Sequence, residues 1–298
     1  MRKLPSFEKG QALLLVLLSM AVVLTVVLSI VSRSITDISV TTQAEDALRA
    51  FSAAEAGVER ALIIGSDIGT TQLGEAEFEA SVTSFASGEK SFSYPVSILS
   101  GDALTTWFVA HDDSGNLVCS AETPCFTGDR MKVCWGTSGT PSGNATTPAV
   151  EVSVFYLATP GDYSTARVAR GTFDPNSSRT GTNNFAAPDA GTCTVGSTNY
   201  AFQKTITFSS LGIPAGSYGV QDGLQFARVK MFYNAATSHP VGVDVNFAGN
   251  TLLPSQGLKI ESFGTSGTAN RKIEVFRSYG EAPPIFDSVV FTPSGVTK

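Results

Sequence analysis

Charge is scarce in this 298-residue chain: Asp, Glu, Lys and Arg together make 15% of it, against about 25% in ordinary soluble domains. Histidine is scarcer, with only His111 and His239. No G-x-S-x-G, H-E-x-x-H or P-loop pattern occurs, and no long basic run. These absences argue against the familiar serine-hydrolase, zinc-protease and nucleotide-driven classes. They also leave nucleic acid without an electrostatic footprint on the chain. No C-x-x-C spacing is present, so the four cysteines do not read as a zinc site. The expectation is a protein that is not an enzyme and carries no cofactor.

What the chain does have is one long apolar run. Ala12–Val31 is interrupted only by Ser19, Thr25 and Ser29, and it holds no charge, Pro or Gly. Twenty helical residues span about 30 Å, the thickness of a bilayer core. Arg2, Lys3 and Lys9 precede it, which places the N-terminus in the cytoplasm and the body outside. The run is longer than the core of a secretory signal, and the small residues at its far end are embedded in a helical pattern.

Helical periodicity continues beyond the apolar run. Between Ser34 and Ile64 there is no Pro and one Gly, Gly57. Ala44, Leu48, Phe51, Val58 and Leu62 form a stripe at helical spacing, and Gly65 offers a stop. One helix from Gln11 to Ile64 would be roughly 80 Å long, its second half laid by that stripe against a domain. Glu55 falls inside the stripe, so its carboxylate must be paired or reach an edge. Beside the stripe runs a ridge of small residues, Ala47, Ala50, Ala54, Gly57 and Ala61, over which another element could approach closely.

After Gly65 the period changes to two. Candidate strands are Glu77–Phe85, Ser91–Leu99, Thr105–Ala110, Met131–Trp135, Val150–Ala158, Tyr200–Phe208, Leu224–Tyr233, Val241–Phe247, Arg271–Ser278 and Phe286–Phe291. The expected fold class is α+β: a long N-terminal helix followed by a β-rich body of β-sandwich or jelly-roll kind. The body should run from 65 to 298, with a turn-rich stretch near 171–199 as the place for a subdivision. Export would make disulfides available to Cys119, Cys125, Cys134 and Cys193. Four cysteines allow three connectivities. The short loop between Cys119 and Cys125 favours a local bridge there, with Cys134–Cys193 closing a long loop.

Candidate chemistry in the body is thin. His111-Asp112-Asp113 places an imidazole beside carboxylates, yet Asp113-Ser114-Gly115-Asn116 is a good turn sequence. Asp112, Asp113 and Asn116 could give a calcium ion three oxygens, without the D-x-D-x-D-G pattern. Asp174-Pro175-Asn176-Ser177-Ser178 is a second loop of that type. Trp107, Trp135, Phe155, Tyr156 and Tyr233 could line a binding groove, but they alternate with polar residues as core positions do.

Two motifs carry a family resemblance. Glu8-Lys9-Gly10-Gln11-Ala12, a short basic leader ending in Gly before a retained apolar helix, resembles the processing site of type IV pilins and pseudopilins. Phe51-Ser-Ala-Ala-Glu-Ala-Gly-Val-Glu-Arg-Ala-Leu62 is similar to the stretch found in minor pilins with a PilX-type N-terminus. Together the motifs cover residues 1–64. The resemblance implies a leader over 1–10, a transmembrane pilin-like helix over 11–64 and an extracytoplasmic domain over 65–298. It implies cleavage between Gly10 and Gln11 by a prepilin peptidase, with methylation of the new N-terminus. Further implied partners are other pilin subunits through the helix, an inner-membrane assembly platform and membrane lipid. The chain departs from the family in Gln11, where Phe or Met is usual, and in Leu15, where major pilins carry Glu. The missing carboxylate points to a minor or tip subunit of a type IV pilus-like filament at the cell surface, and not to the repeated shaft subunit. The alternative is a single-pass anchored adhesin or binding protein that enters no filament.

Overall fold

The structure, a computed structural model, describes residues 9–281 apart from Asp113, and also Pro283; side chains are described from Leu13 onward. Residues 1–8 of the expected leader and the expected strand Phe286–Phe291 lie outside the described residues. One helix, α1 (Lys9–Ile64), precedes β1 (Ile68–Leu73), β2 (Ala76–Ser84), β3 (Ser91–Ser93), β4 (Ala103–Trp107), β5 (Ala110–His111), β6 (Leu117–Val118), β7 (Arg130–Thr137), β8 (Ala149–Leu157) and β9 (Ala166–Phe173). A short helix, α2 (Ser177–Asn183), leads to β10 (Cys193–Val195), β11 (Thr198–Thr207), β12 (Leu224–Phe232), β13 (Val241–Asp244), β14 (Gly257–Ser266) and β15 (Ala269–Ser278). The protein is thus a long N-terminal helix followed by a β-rich body of antiparallel sheets.

The chain divides into two compact units, Met1–Val82 with Ile260–Val275, and Thr83–Lys259 with Phe276–Lys298. This differs from a helix followed by a separate body that subdivides near 171–199. The second half of α1 shares a core with strands that return to it from far along the chain, and the 171–199 stretch lies within the second unit.

In the first unit α1 ends where Gly65 adopts a left-handed φ of 75° and donates its N–H to Ala61 O at 2.8 Å. Glycine bears that conformation without a Cβ clash and satisfies a terminal carbonyl. The sheet that packs on the helix has the order β1-β2-β14-β15. Ala53, Val58 and Ala61 of the helix are buried with Ile68, Ala76, Phe78, Ala80 and Ile260 of the strands. The approach is close enough to need glycine on both sides. A Cβ on Gly57 would strike Ser262 Oγ and lie 2.9 Å from the Phe78 ring. A Cβ on Gly264 would strike Ala50 O and lie 2.6 Å from Ala54 N. Gly264→Val should therefore push the helix off its sheet at a cost of about 1–3 kcal/mol. Amide exchange across residues 53–61 should speed up in the full chain while the strands of the second unit keep their protection; unchanged exchange at 53–61 would contradict the packing described.

In the second unit a five-stranded sheet, β10-β11-β7-β13-β3, and a four-stranded sheet, β4-β12-β8-β9, bury one core between them. Met131, Val133 and Trp135 of β7 meet Val150, Val152 and Val154 of β8 and Ala227, Val229 and Met231 of β12. The alternate residues of these strands face away, the period-two pattern of a sheet with one face inward.

Several strands differ from the sequence expectation. Ser91–Leu99 is strand only over β3, because Pro95 has no N–H to give to a ladder. β9 and β14 were not expected. β9 is an edge strand with four of its eight residues exposed, so its alternation is faint. β14 contains Gly257 and Gly264, which lower strand propensity, although Gly264 is what the helix requires.

Candidate anchoring and assembly surface

Every described side chain of α1 from Leu13 to Gln43 is exposed, with Leu13 at 67% and Leu15 at 65%. The most apolar window of this helix has a mean hydropathy of 3.0 and none of it is buried. An apolar surface of that extent is not left to water. The chain has one N-terminal helix long and apolar enough to span a membrane. Its few polar groups suit that medium, since Ser19 and Thr25 donate their hydroxyls to Val16 O and Val22 O at 2.9 and 2.8 Å. Backbone and hydroxyl groups in hydrocarbon must find partners within the helix.

The lower half of α1 buries a different face from the one expected. Ala50, Ala53, Ala54, Gly57 and Ala61 face the sheet. Of the large-residue stripe, Val58 is buried and Leu62 is half-buried at the border. Ala44, Leu48, Phe51 and Glu55 stay exposed, Leu48 at 69% and Phe51 at 44%. At 100° per residue the ridge and the stripe are centred about 100° apart around the helix. The ridge takes the sheet because only small residues allow backbone-to-backbone approach. Glu55 is thereby left in solvent, which removes the need for a buried partner. An open groove of about 450 Å³ runs between Leu48, Arg49 and Ser52 of the helix and the β1–β2 turn, Leu73–Ala76. Arg49 bonds Glu45 at 2.6 Å and also reaches Glu75 across that groove. Gly10 and Gln11 fall in the first turn of α1.

The four cysteines form two disulfides, Cys119–Cys125 and Cys134–Cys193, with Cα atoms 5.3 and 5.9 Å apart. Cys134 points away from the main core and is buried with Cys193, Val195 and Tyr200 on the outer face of its sheet.

The remaining candidate sites are occupied by structure. His111 stacks on Tyr279 with ring centroids 3.8 Å apart and meets Trp107 edge-on at 4.5 Å. Burial pushes its pKa down, against the opposing charge of Asp112. Asp112 accepts from the Asn116 side chain at 3.0 Å and from the N–H groups of Asn116 and Ser114 at 2.8 and 2.9 Å. These bonds hold its carboxyl below the usual carboxylate range and close the β5–β6 turn. A cation bound through Asp112 and Asn116 would have to displace them; Asp113 lies outside the described residues.

Asp174 is likewise engaged. Its side chain is fully buried and accepts from Arg179 Nε and Nη2 at 3.0 and 2.7 Å and from Asn183 Nδ2 at 2.8 Å. Arg179 also donates to Ala145 O and Thr147 O, and its guanidinium lies 3.9 Å from the Tyr233 ring centre. Asn176 caps α2 by accepting from Ser178 N–H, the ordinary use of Asn before a helix. The turn signals of this stretch concealed the helix.

Trp107 and Trp135 are core residues, while Phe155 and Tyr156 are half-buried and Tyr233 is exposed beside Arg179. Among the described residues no three His, Cys, Asp or Glu side chains gather closely enough to hold a metal ion. Comparison of the chain with protein-family models, with curated proteins and with solved structures finds no match.

Proposed function

We propose that this protein is a membrane-anchored structural subunit of a type IV pilus-like filament, a minor pilin or pseudopilin. The observation that carries the reading is the double use of one 56-residue helix. Its first half is apolar and wholly exposed, and its second half docks on its own sheet through small residues. The Gly10–Gln11 leader site and the Phe51–Leu62 stretch stand on that same helix. The face bearing Leu48 and Phe51 stays open for a neighbouring subunit.

The mechanism is storage followed by extraction. A prepilin peptidase removes residues 1–10, and the helix from Gln11 holds the subunit in the inner membrane. An assembly platform then lifts it into a bundle, where the apolar surface leaves lipid for the helices of other subunits. Each large aliphatic side chain kept from water contributes about 1.5–3 kcal/mol, so the helix cannot be exposed at any stage. Leu15 offers no carboxylate for a neighbour's N-terminal amine, which suits a tip or minor position. The basic leader orients the body outward, and two disulfides accord with an oxidising compartment. The body, read as a sandwich of jelly-roll kind, is the part presented at the surface.

Gly10→Val should abolish processing. In cells with an active prepilin peptidase the variant should accumulate at the mass of the full precursor, while the unaltered protein loses residues 1–10. Two proteins of equal uncut mass would favour the anchored adhesin that enters no filament.

A further inference from the structure

His239 is buried in the second unit and joins separate stretches of chain there. Its own N–H and carbonyl exchange hydrogen bonds with Ile98 at 2.9 and 3.0 Å. Its ring Nδ1 accepts from the N–H of Thr137, the last residue of β7, at 3.1 Å, and lies 3.1 Å from the Thr137 hydroxyl as well. A backbone N–H can only donate, so Nδ1 holds a lone pair and the ring is neutral with its proton on Nε2. The loop that carries His239 is fastened at the same place. Asn234 Nδ2 donates to Ile98 O and to Thr237 O, each at 3.0 Å, and Tyr233 holds a left-handed φ of 73°. A bulky residue keeps that conformation only where its surroundings impose it.

The stretches bonded to His239 and Thr137 carry no formal charge. No Asp, Glu, Lys or Arg occurs in 91–101, 133–150, 190–203 or 231–243. Charges begin only at the ends of these stretches, with Lys90, Asp102, Lys132, Glu151, Asp189, Lys204, Lys230 and Asp244. Lys132 is paired with Asp244, Lys204 with Asp189, and the Arg179 that reaches the 144–147 turn with Asp174. Tyr94, Tyr200 and Tyr233 keep their protons at neutral and acid pH. His239 is thus the group in these stretches that changes charge between about pH 5 and 8. A second proton, on Nδ1, would set donor against donor at Thr137 N–H and leave an unpaired cation in a buried site. Burial alone pushes the His239 pKa down. The folded chain therefore favours the neutral ring. Its contribution is complete above the ordinary histidine value of about 6.5 and is lost as pH falls below that through the folded value.

We propose that His239 is a proton-operated latch, closing the 233–240 loop onto the end of β7 when neutral and releasing it when protonated. The inference is independent of the filament reading. Residue-resolved NMR of the full chain in detergent micelles tests it. Above about pH 7 the ring should carry its proton on Nε2 alone. As the ring takes its second proton, protection of the Thr137 amide relative to an unstructured peptide should fall about 10-fold, the scale of one hydrogen bond, while Val229 keeps its protection. His239→Asn offers Thr137 an amide oxygen that does not titrate, and should hold that protection level across the same range. His239→Ala should leave it low throughout. A proton on Nδ1 of the neutral ring, a His239 pKa at or above the free value, or Thr137 protection that stays constant as the ring titrates would each overturn the proposal, and all three are read in the unaltered chain. An equal fall in His239→Asn would assign the pH dependence to another group and contradict it too.

Discussion

Replacing Asp174 by Ala is expected to destabilise the second unit by about 3–5 kcal/mol, the range for removing one partner of a buried ion pair. The carboxylate is fully buried and the Arg179 side chain only 16% exposed. Without Asp174 the guanidinium keeps Ala145 O, Thr147 O and the Tyr233 face but loses its counter-charge. Asn183 also loses one of its two acceptors and keeps only the Tyr233 hydroxyl at 3.2 Å, so the 174–184 stretch and the 144–147 turn loosen together. Both tryptophans of the chain, Trp107 and Trp135, lie in this unit. Intrinsic fluorescence during urea unfolding therefore reports on it apart from the helix. A loss below about 1 kcal/mol, the scale of a surface pair, would mean that the network is not the clasp described.

The second large effect is expected from the long-range disulfide. Cys134 and Cys193 are 59 residues apart, and Cys119 and Cys125 are six apart. Loop-closure entropy assigns about 4 kcal/mol to the first bridge and about 2 kcal/mol to the second. Cys134→Ala with Cys193→Ala should thus lower the fluorescence-monitored stability about twice as far as Cys119→Ala with Cys125→Ala. The long bridge ties β10 to β7 over the outer face of the sheet, where Val195 and Tyr200 complete a small buried cluster. The opposite ranking would show that the short bridge, at the β5–β6 hairpin, governs the unit.

The helix was legible because nothing between Ala12 and Ile64 breaks it and Gly65 ends it. β8 and β15 were legible from their alternation, and the local disulfide from its short loop. Which face of α1 is buried was not. Large apolar side chains mark a buried face only when the partner stands at side-chain distance, whereas here β14 approaches the backbone itself through Gly264 and Gly57. Gly264, together with Gly257, also hid β14 from a propensity reading. The division into two units was hidden for a related reason: β14 and β15 join β1 and β2 across roughly 180 residues of chain, a pairing that local pattern does not encode. The stripe that should lay the helix on a domain leaves Leu48 and Phe51 in solvent, and the ridge of small residues beside it meets the sheet instead.

Intact mass with N-terminal sequencing of the protein from its native membrane decides whether the N-terminal helix is a processed anchor. The predicted result is a chain that begins at Gln11 with a methylated amine, lacks residues 1–10 and carries all four cysteines oxidised in two bridges. A chain that still begins at Met1, recovered from cells with an active prepilin peptidase, would mean that the protein is not a processed pilin-like subunit.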